Sequence, residues 1–413
     1  MALLDPDALG FDPARLARID ALLADRYIAP GRLRGAQLLI SRDGQVAHRA
    51  SLGTMREDGR PMADDTLFRI ASMTKPVTSV AFMMLVEEGL VALDDPVHRL
   101  VPELKDVGVY NGGGGDAPFL TRATDAPMRM IDLLRHTSGL TYGFQNRSNI
   151  DAAYRAAGIE EWRGGHDLDS FAAVLGRLPL EFSPGAAWNY SVSTDILGLV
   201  VERVSGLKLD AFFQSRVFDP LGMADSFFQV PDDKAHRLAD CYAMHPKKGM
   251  VLFDSGEKSL WRTPAKLLSG GGGLVSSTAD YHRFCRMLLN GGVLDGARLL
   301  SPKTVQLMTI NHLPGGGDLS SLSKSLFSEA ANAGAGFGLG FAVNIDVART
   351  MLPGSVGEYY WGGMFSTAFF IDPVERIIML FMTQLAPSST WPVRRELKTM
   401  IYAALTRQAG ERR

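Results

Sequence analysis

Runs of strand-forming residues stand near both ends of the chain, and the long stretch between them is patterned for helices. Near the start, GAQLLISRDGQVAHRASLG (35–53) holds two apolar runs around Asp43-Gly44, the kind of pair that closes a tight β-hairpin. Near the end, GFGLGFAVNI (336–345), MFSTAFFID (364–372) and RIIMLFMTQL (376–385) read as three strands, with a turn beginning at Asp372-Pro373 before the last. Two strands from one end and three from the other predict one antiparallel sheet of about five strands built from both chain ends. Helical spacing flanks it. PARLARIDALLADRY (13–27) places Leu16, Ile19, Leu22, Leu23 and Tyr27 on one face, and a closing helix near 391–405 does the same with Val393, Leu397, Ile401 and Leu405. The expected class is α+β, a sheet flanked by helices in the α/β sandwich manner.

The middle of the chain is then a large excursion. RMIDLLRHTSGL (129–140) and TDILGLVVERVSG (194–206) are its clearest helices, each ending near a glycine. With 413 residues the chain exceeds one ordinary core, so two subdomains or a domain with an insertion are expected. Glycine clusters at 111–115, 270–273 and 315–317 mark loops or close backbone approaches, and none leads into Lys-Ser/Thr as a phosphate loop would.

Composition removes several classes of function. A net charge of −2 offers no broad basic surface for nucleic acid. The longest apolar runs, such as IIMLFM (377–382), fall far short of a bilayer span, so no membrane partner is expected. The N-terminal stretch has neither a basic region nor a sustained apolar one, and the expected location is cytoplasmic. Cys241 and Cys285 are expected as free thiols. With no C-x-x-C, no H-E-x-x-H and eight scattered histidines, neither a metal nor another cofactor is expected.

Three S-x-x-K matches occur: Ser72–Lys75, Ser255–Lys258 and Ser321–Lys324. Context separates them. Ser255 sits beside Gly256 in a polar stretch, and Ser321 lies in the serine-rich GGGDLSSLSKSLFSE, read as a surface segment. Only Ser72 opens a long apolar helix, about 72–89, ending at Gly89. Residues i and i+3 share a helix face, so Lys75 can reach the Ser72 hydroxyl. Desolvation disfavours a charged lysine, which can then accept a serine proton. The helix start also presents unpaired N–H groups to a developing oxyanion. Pro76 pulls the other way, since it disfavours helical geometry at Lys75. Read alone, the motif fits a plain helix cap with a solvated Lys75 better than a nucleophile and its base. No G-x-S-x-G pentapeptide occurs, which removes the α/β-hydrolase elbow.

Further motifs follow in order: LLRHTSGL (133–140), FSPGAAWNYS (182–191), SGGGGL (269–274) and WGG (361–363). With Ser72–Lys75 they resemble the serine β-lactamase superfamily, and most of all its class C-related branch with the family VIII carboxylesterases. The resemblance implies a β-lactamase/transpeptidase-like fold. It puts a sheet-plus-helices domain at 1–93 and 236–413 and a mostly helical inserted domain at 94–235, with the active site in the cleft between them. It implies Ser72 as nucleophile, Lys75 as its partner and Tyr190 as the base. It also implies an oxyanion hole from the backbone N–H groups of Ser72 and Met364, with Met364 following Gly363 on a strand. His136, in HTSGL, is structural on the same comparison.

Two positions depart from the lactamase pattern. Val192 stands where the second motif ends in asparagine, and Trp361 where the third begins with lysine. That lysine serves the carboxylate of a β-lactam, and an indole offers an apolar wall instead. Substrate contacts are expected from Trp361, Gly362, Gly363 and Val192, the glycine pair letting substrate approach the backbone. The expected activity is hydrolysis of small-molecule, short-chain carboxylic esters through an acyl-enzyme on Ser72. An acyltransferase of the same fold is the nearest alternative, and a β-lactamase or D-alanyl peptidase a weaker one. The oligomeric state has no signature in the sequence.

Overall fold

The structure, a computed structural model, describes residues 2–160, 165–324 and 333–410. The expected hairpin forms as β1 (Gly35–Arg42) and β2 (Gln45–Gly53), with Arg42 paired to Gln45. Asp43 and Gly44 both adopt positive φ, 53° and 74°, which a two-residue turn matched to strand twist requires. Five strands follow from the far end: β3 (Ala335–Phe337), β4 (Ala342–Asn344), β5 (Tyr359–Gly362), β6 (Ala368–Asp372) and β7 (Ile377–Thr383). The sheet runs β3-β4-β5-β6-β7-β1-β2 and every pairing is antiparallel, so β7 joins the two ends of the chain, Leu380 facing Leu39.

Seven strands replace the five expected, for local reasons. The run 336–345 is broken by a turn in which Gly338 N–H donates to Phe341 O and Gly340 takes φ 99°. A Cβ on Gly338 would meet Met308 O at 2.2 Å, so only glycine fits there. Tyr359–Gly362 forms a strand of its own, and Gly362 ends that strand instead of starting the next.

Both faces of the sheet are covered, and β1 and β7 are buried at every position. Alternate residues divide between two cores, as the two-residue period of a strand demands. Leu38, Ile40, Phe370 and Met379 pack with α1 (Pro13–Ala21), and with the closing helix through Leu397 and Ile401. Leu39, Phe369 and Leu380 belong to a larger core that continues through α2 (Thr74–Glu87) into the middle of the chain. All residues from Thr74 to Leu85 are buried, as in a helix packed on every side. Gly89 takes φ 71° beyond its end.

In the middle, α3 (Met130–Leu134) is shorter than expected. The buried Asp132 carboxylate accepts from Arg135 and Thr137, and His136 takes φ 57°, so the chain leaves the helix before HTSGL. The longer α4 (Ser193–Ser205) ends at Gly206 in the left-handed conformation. Beyond it come α5 (Thr278–Leu289) and the closing α6 (Val393–Ala403). Cys241 and Cys285 are buried free thiols. Among the described residues no helix is long and apolar enough to cross a membrane.

Candidate active site

Ser72 is carried on a short rigid turn. The strand Leu67–Arg69 delivers the chain to Ile70, and Ala71–Met73 make one 3-10 turn before α2 starts at Thr74. Ala71 has φ 44°, a left-handed conformation that costs an ordinary residue about 1–2 kcal/mol and persists only where the surroundings impose it. Arg69 supplies much of that constraint. Its guanidinium is fully buried, ion-paired to Asp254 and hydrogen-bonded to Ala239 O at 2.7 Å and Ser259 Oγ at 2.9 Å. Gln384 bonds both backbone groups of Arg69, each at 3.0 Å. Pro76 is the third residue of α2, where a backbone N–H has no partner within the helix, so its missing N–H costs the helix no hydrogen bond.

Lys75 is 2% exposed, while Ser72 is half-buried. The Lys75 Nζ lies 3.4 Å from Ser72 Oγ, 3.0 Å from the Tyr142 hydroxyl and 2.7 Å from Gly271 O, and it stands 4.5 Å from the centre of the Tyr190 ring. The expected trio of Ser72, Lys75 and Tyr190 is therefore together, with Tyr142 added to it. Tyr142 was legible only as the residue two beyond HTSGL, a segment read as structural. Its ring stacks on Phe144, centroids 4.7 Å apart, and leans on Tyr190 at 5.2 Å.

The glycine run at 270–273 also has its explanation here. It threads between α2 and α4, where Thr78 Oγ1 donates to Gly270 O and Leu274 N–H to Thr74 Oγ1. A Cβ on Gly270 would lie 2.7 Å from Thr194 O, so the run is a close backbone approach.

The WGG motif differs from expectation in two respects. Met364 is not on a strand: β5 ends at Gly362, and Met364 lies in the turn to β6. That turn is closed by Gly363 N–H to Thr367 O and Ser366 N–H to Gly363 O, bonds that leave the Met364 N–H aside. The glycines also serve packing. A Cβ on Gly363 would meet Ile70 O at 2.5 Å, two residues before Ser72, and one on Gly362 would meet the Arg394 guanidinium at 2.8 Å. Arg394, from α6, clamps the turn through Gly363 O at 2.8 Å and Thr367 O at 2.7 Å, a role with no signal in the sequence.

Trp361 is 2% exposed, 5.5 Å from the Tyr190 ring and 5.3 Å edge-on to Phe337. Val192 is the N-cap residue of α4 and is buried in the large core. His136 is buried against Tyr190, Trp188 and Phe337, with Nδ1 3.2 Å from Ser191 Oγ. Burial, and then the charge of Lys75, hold its pKa well below the usual imidazole range, so it stays neutral at working pH. Ser255 Oγ accepts from Glu257 N–H in a local turn, and Ser321 Oγ donates to Asp318 O in another. Residues 325–329 of that serine-rich segment lie outside the described residues. Among the described residues no three His, Cys, Asp or Glu side chains gather as metal ligands.

A half-buried hydroxyl beside a buried amine and two phenols is suited to nucleophilic acyl chemistry. The comparisons agree in kind. The family model described as beta-lactamase matches residues 20–400. Protein Rv1367c of Mycobacterium tuberculosis is 37% identical over 86% of this chain and 87% of its own. Esterase EstB of Burkholderia gladioli is 32% identical over 97% and 99%. Among solved structures, EstCE1, described as a hydrolase with promiscuous acyltransferase activity, superposes with a TM-score of 0.76 at 25% identity, over 95% of this chain and 99% of that one.

Proposed function

The chain belongs to the beta-lactamase family, and on that premise we propose that it is a serine hydrolase of short-chain carboxylic esters. Ser72 Oγ attacks the ester carbonyl while its proton passes to Tyr190, which acts as a phenolate beside the Lys75 ammonium and becomes a neutral phenol. The tetrahedral oxyanion accepts from the Ser72 and Met364 N–H groups. The C–O bond to the alcohol then breaks, the alcohol leaves with the proton, and an acyl-enzyme remains on Ser72. Water, activated by the same base, attacks the acyl carbon and returns the serine with release of the acid.

The observation that carries this reading is Lys75, buried and held 3.4 Å from Ser72 Oγ. Esters are favoured over lactams because an indole, Trp361, occupies the position where the lactamase pattern has a cation. EstB, named an esterase, supports the same substrate class. The second reading, transfer of the acyl group to an alcohol, is favoured by the likeness to EstCE1. It differs only in which hydroxyl attacks the acyl-enzyme.

A fluorophosphonate probe followed by peptide mapping tests the nucleophile. Labelling once, on Ser72, is expected, with Ser72→Ala inactive and Ser255→Ala and Ser321→Ala active. Labelling of Ser255 or Ser321, or no labelling of active enzyme, would overturn the assignment. Product analysis with an added alcohol decides between hydrolysis and transfer.

A further inference from the structure

Asp195 is the third residue of α4 and is buried. Its Oδ1 accepts from Ser269 Oγ at 2.5 Å and from the Gly271 N–H at 3.0 Å. Gly271 in turn presents its carbonyl to Lys75 Nζ at 2.7 Å. One residue without a side chain thus joins a buried carboxylate on one helix to the buried amine on another. The fit leaves no slack, because a Cβ on Gly271 would lie 2.5 Å from Asp195 Oδ2.

We infer that Asp195 is a positioning residue for Lys75, acting through the backbone of Gly271. The inference rests on the reading of Ser72 and Lys75 given above. The Lys75 side chain is long and its Ser72 contact is 3.4 Å, so its aim depends on what fixes its other contacts. The Tyr142 hydroxyl moves with its own side chain, whereas the Gly271 carbonyl is backbone and can be held in place from behind. Asp195 does this through the Gly271 N–H, and Ser269 Oγ donates to the same carboxylate oxygen. Burial raises the Asp195 pKa and the charge of Lys75 opposes that shift, so the two groups also sense each other electrostatically.

The variants are Asp195→Ala, which removes both bonds, and Asp195→Asn, which keeps an acceptor oxygen in place. Ester kcat and KM are measured per folded enzyme, beside the rate at which the fluorophosphonate labels Ser72. Asp195→Ala should lower kcat on the order of 10²-fold, the usual consequence of a misplaced catalytic group, with KM changed less than about threefold. Labelling should slow in parallel, and Asp195→Asn should recover most of the loss. Asp195→Ser is too short to reach Gly271 and is read in the same way if the alanine variant does not fold. A lowered Tm with full kcat in the folded fraction would make Asp195 merely structural and overturn the inference. So would an asparagine variant as slow as the alanine one. Wild type that does not label on Ser72 would overturn the parent reading. Labelled wild type beside a full-rate Asp195→Ala overturns the positioning role alone.

Discussion

Tyr142→Phe removes one oxygen from the site and little else. It breaks the 3.0 Å bond from Lys75 Nζ. Such a bond contributes about 1.5–3 kcal/mol when its donor carries charge, and each 1.4 kcal/mol is about tenfold in rate. If the bond holds Lys75 through the transition state, kcat/KM should fall roughly 10- to 150-fold. The ring itself stays, stacked on Phe144 and tilted against Tyr190, so Tm should change little. Tyr190→Phe likewise keeps the ring face over Lys75. Loss of its hydroxyl should cost on the order of 10²–10⁴-fold if Tyr190 is the base. The assay is initial-rate hydrolysis of a short aryl ester by both single variants and the double one, with Tm measured alongside. Both tyrosines stand against one lysine, Tyr142 through its hydroxyl and Tyr190 through its ring, so the double variant should lose less than the product of the single losses. Tyr142→Phe within twofold of wild type would refute the role drawn from the Lys75 contact. Tyr190→Phe near wild type would refute its assignment as base.

Other outcomes follow from the same geometry. Trp361→Ala opens a cavity beside Tyr190 and should cost about 3–5 kcal/mol by denaturant unfolding, so Trp361→Phe is the variant in which kcat/KM across acyl lengths reads specificity. Cephalosporin turnover by wild type at the ester rate would contradict the role given to Trp361. Arg69→Ala leaves Asp254 buried without its cation and should destabilise by about 3–5 kcal/mol in the same measurement. Asp280, buried in the first turn of α5, has its carboxyl pushed up to about 6 from 3.8, chiefly by burial. A raised carboxyl contributes stability in full below pH 4 and loses it as pH rises through 6. Asp280→Asn should therefore gain on wild type between pH 4 and pH 8 by about 3 kcal/mol in denaturant titrations, from about two pKa units at 1.36 kcal/mol each. An unchanged difference across that range would show that Asp280 does not titrate there.

Much of this protein was legible in the sequence because it is written in short-range patterns. Asp43-Gly44 specifies its hairpin through φ alone, and the 13–27 and 391–405 faces mark helices by period. The apolar run behind Ser72 separates that S-x-x-K match from two others, because a buried helix needs apolar residues on every side. Tyr190 and Met364 came from resemblance and not from spacing. The strand count was misjudged where a turn at Gly338–Phe341 breaks an apolar run, with Met308 O leaving room only for glycine at 338, and where Tyr359–Gly362 forms a strand of its own.

What tertiary structure decided is who meets Lys75. Tyr142 lies 67 residues away and Gly271 196 residues away, and the latter contributes a backbone carbonyl, which every residue possesses. Arg394 reaches the WGG turn from the last helix in the same manner, through carbonyl oxygens. Such contacts depend on where backbones pass in space. A local pattern records which face of an element is buried, whereas a hydrogen bond between distant backbones is settled only when the elements pack.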